Sequence, residues 1–393
     1  LVSAAGAERS FEIVDAEAPG GRRSQTWRFS GRAECQRCHN TWSGPPLAFN
    51  ALQLTQRDAS AGTTRSQLER LFSTGLIRPA VDSAKIATLV DPHDTIAALD
   101  DRARSYLHVN CSHCHRMHAG GAVLSHMHFD LPLDKTNMLQ TRPTQGTFGI
   151  HAAEVIAPGD PFRSVLLYRM AKLGNGRMPH IGSTEVDQAG LALLYAWLKQ
   201  LPNESDSEAA TSKSIAKIRA DETSALVHLC STETVAERSE IVDRLLASTT
   251  GAMQLLHSID NGELPATVVD LTIQNATKHR EVSIRDLFER FLPPEERIKR
   301  LGSLVRPEQV LSLTGDAARG REVFFETNGV SCKNCHRIAQ EGKEVGPELT
   351  TIGKKLSRAQ LLESILEPSK QIDPKFVTYL AETKSGKLFT GLL

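Results

Sequence analysis

Apolar residues recur three or four apart at Ile96, Leu99, Ala103, Tyr106 and Leu107, the spacing of one face of an α-helix. The same period returns at Leu191, Leu194, Trp197, Leu198 and Leu201. Two amphipathic helices are predicted, one leading to residue 111 and one closing a segment at residue 201. A shorter stripe, Leu68, Leu71 and Phe72, predicts a helix over 66–72. A Ser/Glu/Ala-rich stretch over 203–214 reads as a linker. Helical patterns at 225–229, 241–246 and 253–259 then predict an α-helical spacer, whose His228, His257 and His279 read as surface or packing residues. Further on, Asp316 is placed to cap a helix carrying Gly320, Val323, Phe324 and Phe325. Alternation is confined to the ends. Gln25-Thr26-Trp27-Arg28-Phe29 reads as the edge of a β-rich region or, alternatively, as a disordered terminus. Residues 377–383 and 387–392 read as a strand pair. The expected fold class is mainly α, with small β content at the termini.

Composition changes this picture little. Lys+Arg and Asp+Glu stand at 46 each, so net charge gives no argument for nucleic acid or an anionic membrane as a partner. No apolar run reaches the roughly 20 residues that span a bilayer, so no transmembrane segment is expected. The chain starts at Leu1 rather than Met, as a processed or incomplete chain would.

Cysteine spacing carries the chemistry. Six of the 7 cysteines fall in pairs, each followed at once by histidine: Cys35, Cys38 and His39; Cys111, Cys114 and His115; Cys332, Cys335 and His336. Cys-x-x-Cys-His is the attachment signature of c-type haem. Two thiols add to the haem vinyl groups as thioethers, and the histidine lies under the iron as proximal ligand. With 7 Cys and 14 His in 393 residues, composition alone yields roughly 0.004 such matches. Zinc sites and thioredoxin-like pairs also use Cys-x-x-Cys, but neither requires the following histidine. The seventh cysteine, Cys230, is expected to be a small buried hydrophobe.

A sixth ligand is sought near each motif. Gly174-Asn175-Gly176-Arg177-Met178-Pro179-His180 precedes the helix at 188–201, and Met178 is the expected thioether ligand of the second iron. Met170 is the second candidate and reads better as core. No methionine stands out for the first motif. The histidines His108, His113, His118, His126 and His128 are the alternative donors. After the third motif, Pro347 is placed for its carbonyl to accept the His336 ring N–H. No methionine follows Met253, so the third iron has no evident sixth ligand here.

The last segment resembles a planctomycete-type haem-binding domain family. The residues that carry the likeness are Gly315 to Gly320, Cys332 to His336, Val345-Gly346-Pro347-Glu348-Leu349 and Glu363 to Ser369. That resemblance implies a Met-Pro segment and closing helix past Leu393, and hence a chain cut short here. Residues 21–201 are similar to bacterial cytochromes with paired attachment motifs, on Glu34 to His39, Asn110 to His115, Ala157-Pro158-Gly159-Asp160-Pro161 and Arg177-Met178-Pro179. Such modules accompany propeller dehydrogenases. Together the two resemblances imply class I cytochrome c-like haem domains joined by the helical spacer, with three covalently bound haem c groups. The divisions expected are 1–95, 96–202, 203–300 and 301–393. The function implied is electron transfer in the periplasm or outside the cell, to a redox protein or a fused or docked dehydrogenase, with no catalytic residue assigned. The alternative is a dihaem peroxidase-type enzyme with one open iron.

Overall fold

The computed structural model describes residues 6–15, 21–31, 35, 39, 50–55, 65–77, 86–117, 124–203, 209–232, 234–293, 296–298, 307–326, 332–366, 373–376, 379–382 and 388–391. The chain divides into two compact units, Glu34–Arg297 and the pair of segments Leu1–Ala33 and Ile298–Leu393. Within the described residues the regular elements of the first unit are helices, and strands occur only in the second.

In the first unit, α1 (Ala51–Leu54) and α2 (Gln67–Ser73) follow the first motif. The helix expected at 66–72 forms because Ser66 and Glu69 cap each other's backbone in a capping box. Leu68 faces inward, with Leu71 and Phe72 half-buried. Next come α3 (Leu99–Cys111), α4 (Val165–Ala171) and α5 (Gln188–Gln200). Ile96 drops out of the predicted stripe. The helix starts only at Leu99, and Ile96 is 94% exposed in the turn before it.

Helices α3 and α5 cross where one residue has no side chain. A Cβ on Gly190 would lie 2.3 Å from the Tyr106 hydroxyl and 2.5 Å from its Cζ. Tyr106 donates to Asp187 Oδ2 at 2.8 Å, while Asp187 Oδ1 caps α5 through Gly190 N–H at 2.9 Å. Burial first, and Asp187 second, push the Tyr106 phenol up, so it remains a donor. Trp197 on α5 donates to Asp100 on α3 at 2.8 Å, a second tie between the two helices.

Helices α6 (Ala209–Ser231), α7 (Val235–Leu246), α8 (Thr249–Asp260), α9 (Ala266–Thr277) and α10 (Val282–Phe288) follow. They share one hydrophobic core with α3–α5, running from Ala103 and Leu194 through Leu229, Leu245 and Leu255 to Phe288. Polar ties cross the same boundary. Tyr168 donates to the Ser283 carbonyl at 2.9 Å and Thr249 to the Phe148 carbonyl at 2.8 Å. Patterning alone read this region as a spacer, and side-chain packing places it against the segment that holds the second motif. His257 stacks on Tyr195 at 3.7 Å, while His228 is exposed. Cys230 is exposed, contrary to expectation. The buried stripe of α6 is Ala225 and Leu229, and the next residue turns about 100° away from it, toward solvent.

In the other unit, β1 (Ala7–Val14) pairs antiparallel with β2 (Arg22–Phe29), in register from Ala7 opposite Phe29 to Val14 opposite Arg22. The alternation at 25–29 is thus a hairpin strand. Helices α11 (Pro307–Ser312) and α12 (Ala317–Phe325) precede the third motif, and Asp316 caps α12 by accepting from Arg319 N–H at 3.0 Å, as expected. The short pair β3 (Arg337–Ile338) and β4 (Glu341–Gly342) follows the motif, then α13 (Ile352–Lys355) and α14 (Arg358–Leu366). Strands β5 (Tyr379–Glu382) and β6 (Leu388–Gly391) form the strand pair expected at 377–392.

Two outcomes follow. Gly190→Ala places a methyl group inside the Tyr106 ring contact and should lower stability by about 1–3 kcal/mol, the usual range for overpacking, read from chemical denaturation midpoints. The second concerns His108, buried on α3. Its Nδ1 accepts from Phe129 N–H at 3.3 Å, so Nε2 carries the proton that meets Asn50 Oδ1 at 3.3 Å. Burial first and His128 second lower its pKa from 6.5 to about 4, against an opposing pull from Asp130. The folded state holds the neutral ring, whereas the unfolded chain takes up a proton below pH 6.5. Stability should therefore fall as pH drops from 6.5 towards 4. Denaturation midpoints measured across that window should slope more steeply in the wild type than in His108→Gln.

Candidate functional site

The attachment motifs adopt one backbone turn. The histidine N–H donates to the carbonyl of the first cysteine in each: His39 to Cys35 at 2.8 Å, His115 to Cys111 at 2.8 Å and His336 to Cys332 at 2.9 Å. The second cysteine N–H also returns to that carbonyl, at 3.1 Å for both Cys114 and Cys335. Positions i, i+3 and i+4 of a helical turn share a face. The turn therefore points both thiols and the imidazole to one side, as covalent haem attachment with an adjacent proximal ligand requires. Cys38 lies outside the described residues, so the first motif is seen through Cys35 and His39 alone. Burial pushes the Cys111 thiol up to about 12.

The second motif is the one best enclosed. Helix α3 delivers Cys111 in its last turn. The His115 carbonyl accepts from Met127 N–H at 2.9 Å, and its Nδ1 meets Ser125 Oγ at 2.9 Å. Engaging Nδ1 fixes the ring and leaves Nε2 to face a metal. Burial holds the His115 pKa down at about 4, with smaller contributions from Arg169, His113 and His180, against a raising contribution from Ser125. The ring is therefore neutral and has a lone pair to give.

That loop is built rather than draped. Met178 N–H donates to the Arg169 carbonyl at 3.0 Å, and the Arg169 guanidinium returns to the Gly176 carbonyl at 3.3 Å. The buried Arg177 guanidinium holds the far side, donating to the Pro179 carbonyl at 3.2 Å, the Ser183 carbonyl at 2.8 Å and the Glu185 carbonyl. Met178 itself is half-buried. Met170 is 7% exposed within the core of α4, the role patterning favoured for it.

The third motif shows the bond expected of Pro347. Its carbonyl lies 2.8 Å from His336 Nδ1, which again leaves Nε2 outward. Gly346 makes this possible. Its N–H donates to the Cys335 carbonyl at 2.6 Å, and a Cβ there would sit 2.8 Å from His336 Cε1. No larger residue could pass so close to the ring.

The histidine-rich stretch divides by role. His108 uses both ring nitrogens within the fold and offers no donor to a metal. His113, inside the second motif, has its pKa lowered by burial first and by His39 as well, against the Val109 backbone. His118 lies outside the described residues. Among the described residues no group of three or more His, Cys, Asp or Glu side chains converges as a metal cage. Sequence reasoning missed Ser125 and the bracing by Arg177. Arg177 sits beside Met178 in the quoted motif and was legible as a neighbour, whereas Ser125 lies ten residues past His115 with no local signal.

Comparison with known proteins agrees with this geometry where it reaches. Residues 317–388, which include the third motif, match the family model described as Cytochrome c. No curated protein and no solved structure matches the chain. Among the described residues no helix is long and apolar enough to cross a membrane. The family match, laid over the Cys332–Cys335–His336 turn and its Pro347 bond, supports a c-type cytochrome domain that binds haem covalently and serves electron transfer.

Proposed function

We propose that this chain is a multihaem c-type cytochrome with three covalently bound haem c groups, passing electrons between redox partners in the periplasm or outside the cell. The observation that carries the reading is the repeated turn, with His39, His115 and His336 each bonded to the first cysteine of its own motif. Bound haem supplies one-electron iron chemistry, tuned by its axial ligands. The chain's own residues do the rest. Cys35 and Cys38, Cys111 and Cys114, and Cys332 and Cys335 provide the thiols for attachment. His39, His115 and His336 provide proximal nitrogens. Ser125 and Pro347 hold His115 and His336 by Nδ1 and set the ring orientation.

Met178 is the sixth ligand in this reading for the group at Cys111 and Cys114. Arg169 and Arg177 hold its loop from both sides, and a thioether ligand from Met178 would raise the potential of the haem held there and close its iron to small substrates. A docked or fused dehydrogenase is a suitable donor to such a module, and covalent haem attachment fits a compartment beyond the cytoplasm.

A pyridine haemochrome titration per polypeptide should report three haems. A count of two, with Cys35 and Cys38 still reacting as thiols, would remove the first motif from the assignment. Met178→Ala should abolish a methionine–iron charge-transfer band in the oxidised protein and lower one midpoint potential. Persistence of the band in Met178→Ala, with its loss in Met170→Ala, would move the ligand into the core of α4.

A further inference from the structure

The loop that carries Met178 is anchored outside the segment that holds its motif. Lys172 closes α4 and begins the loop, and its Nζ lies 2.8 Å from Asp286 Oδ2 on α10, both side chains being 2% exposed. The same ammonium donates to the Asn175 carbonyl at 2.5 Å. The main chain repeats the grip, since Leu173 N–H donates to the Asp286 carbonyl at 2.9 Å. Tyr168, one turn earlier, reaches the Ser283 carbonyl on α10 at 2.9 Å. Below the loop, the Phe148 ring packs so close to Gly176 that a Cβ there would be 3.1 Å from it, and Thr249 of α8 holds the Phe148 carbonyl at 2.8 Å.

These contacts converge on the few residues before Met178. A buried ion pair is costly to form and gives little net stability over an apolar pair of the same size, but it fixes geometry. The structure assigns Lys172 and Asp286 as positioning residues: through their ion pair and the Leu173 backbone bond, α10 sets the placement of the loop that carries the Met178 thioether. The inference rests on Met178 being the sixth ligand.

The test uses the full haem-loaded chain. Removing Asp286 alone would strand a buried ammonium and put folding of the unit at risk, so the decisive variant is Lys172→Leu with Asp286→Leu. It replaces both charges with apolar side chains and leaves net charge unchanged, so a shift in potential reports geometry rather than a lost charge. With helicity and haem count retained, the double variant should weaken the Met178-dependent charge-transfer band and lower that haem's midpoint potential. Added imidazole should displace the thioether at about tenfold lower concentration, equivalent to about 1.4 kcal/mol. A Met178-dependent band, potential and imidazole titration all unchanged in the double variant would overturn the positioning role and leave the ligation intact. A wild type whose band never depended on Met178 would overturn the ligation itself, and the inference with it.

Discussion

Gly190 lets α5 approach α3 until the Tyr106 ring occupies the space where any side chain would stand. The rest of the first unit depends on that crossing. It fixes the end of α3, where Cys111 begins the second attachment turn, and the start of α5, where the Met178 loop finishes. Asp187 serves both sides, accepting the Tyr106 hydroxyl and capping α5. Because the crossing is close and polar at its edge, the two helices have little freedom to slide. The histidine and the methionine are therefore presented from a rigid frame.

The second layer of support comes from α6–α10. These helices have no motif of their own, yet their residues hold the backbone around the site: Ser283, Asp286 and Thr249 each take or give a bond to the segment 148–173. A Gly-rich loop does not hold one conformation unaided, because each glycine adds backbone freedom that has to be removed on folding. Here the freedom is removed by side chains on both flanks, Arg169 and Lys172 before the loop and Arg177 within it.

The second and third motifs reach the same chemical end by different local means. His115 is held by a serine hydroxyl in a buried setting, and His336 by a proline carbonyl in a more open one. In both, Nδ1 is occupied and Nε2 is left outward, which is the arrangement that fixes a metal-ligating imidazole. The open setting of the third motif is tolerated because Gly346 brings backbone against the ring in place of side chains.

What the sequence determined by itself is local. Cysteine and histidine spacing specified the attachment turns, since residues three and four apart on a helical turn share a face whatever surrounds them. Helix periodicity located α2, α3 and α5, and a capping residue located the start of α12, because each is set by neighbours within a few residues. The Pro347 bond to His336 was legible for the same reason, lying a short loop away. What only the tertiary structure decided is every relation between distant segments. Cys230 turned out exposed and Ile96 fell outside its helix, since burial depends on what packs opposite and not on the residue type. The Lys172–Asp286 contact, and the shared core that joins α6–α10 to the motif-bearing helices, pair residues up to more than a hundred positions apart. No local period encodes such pairs. They arise only when the amphipathic faces have found one another.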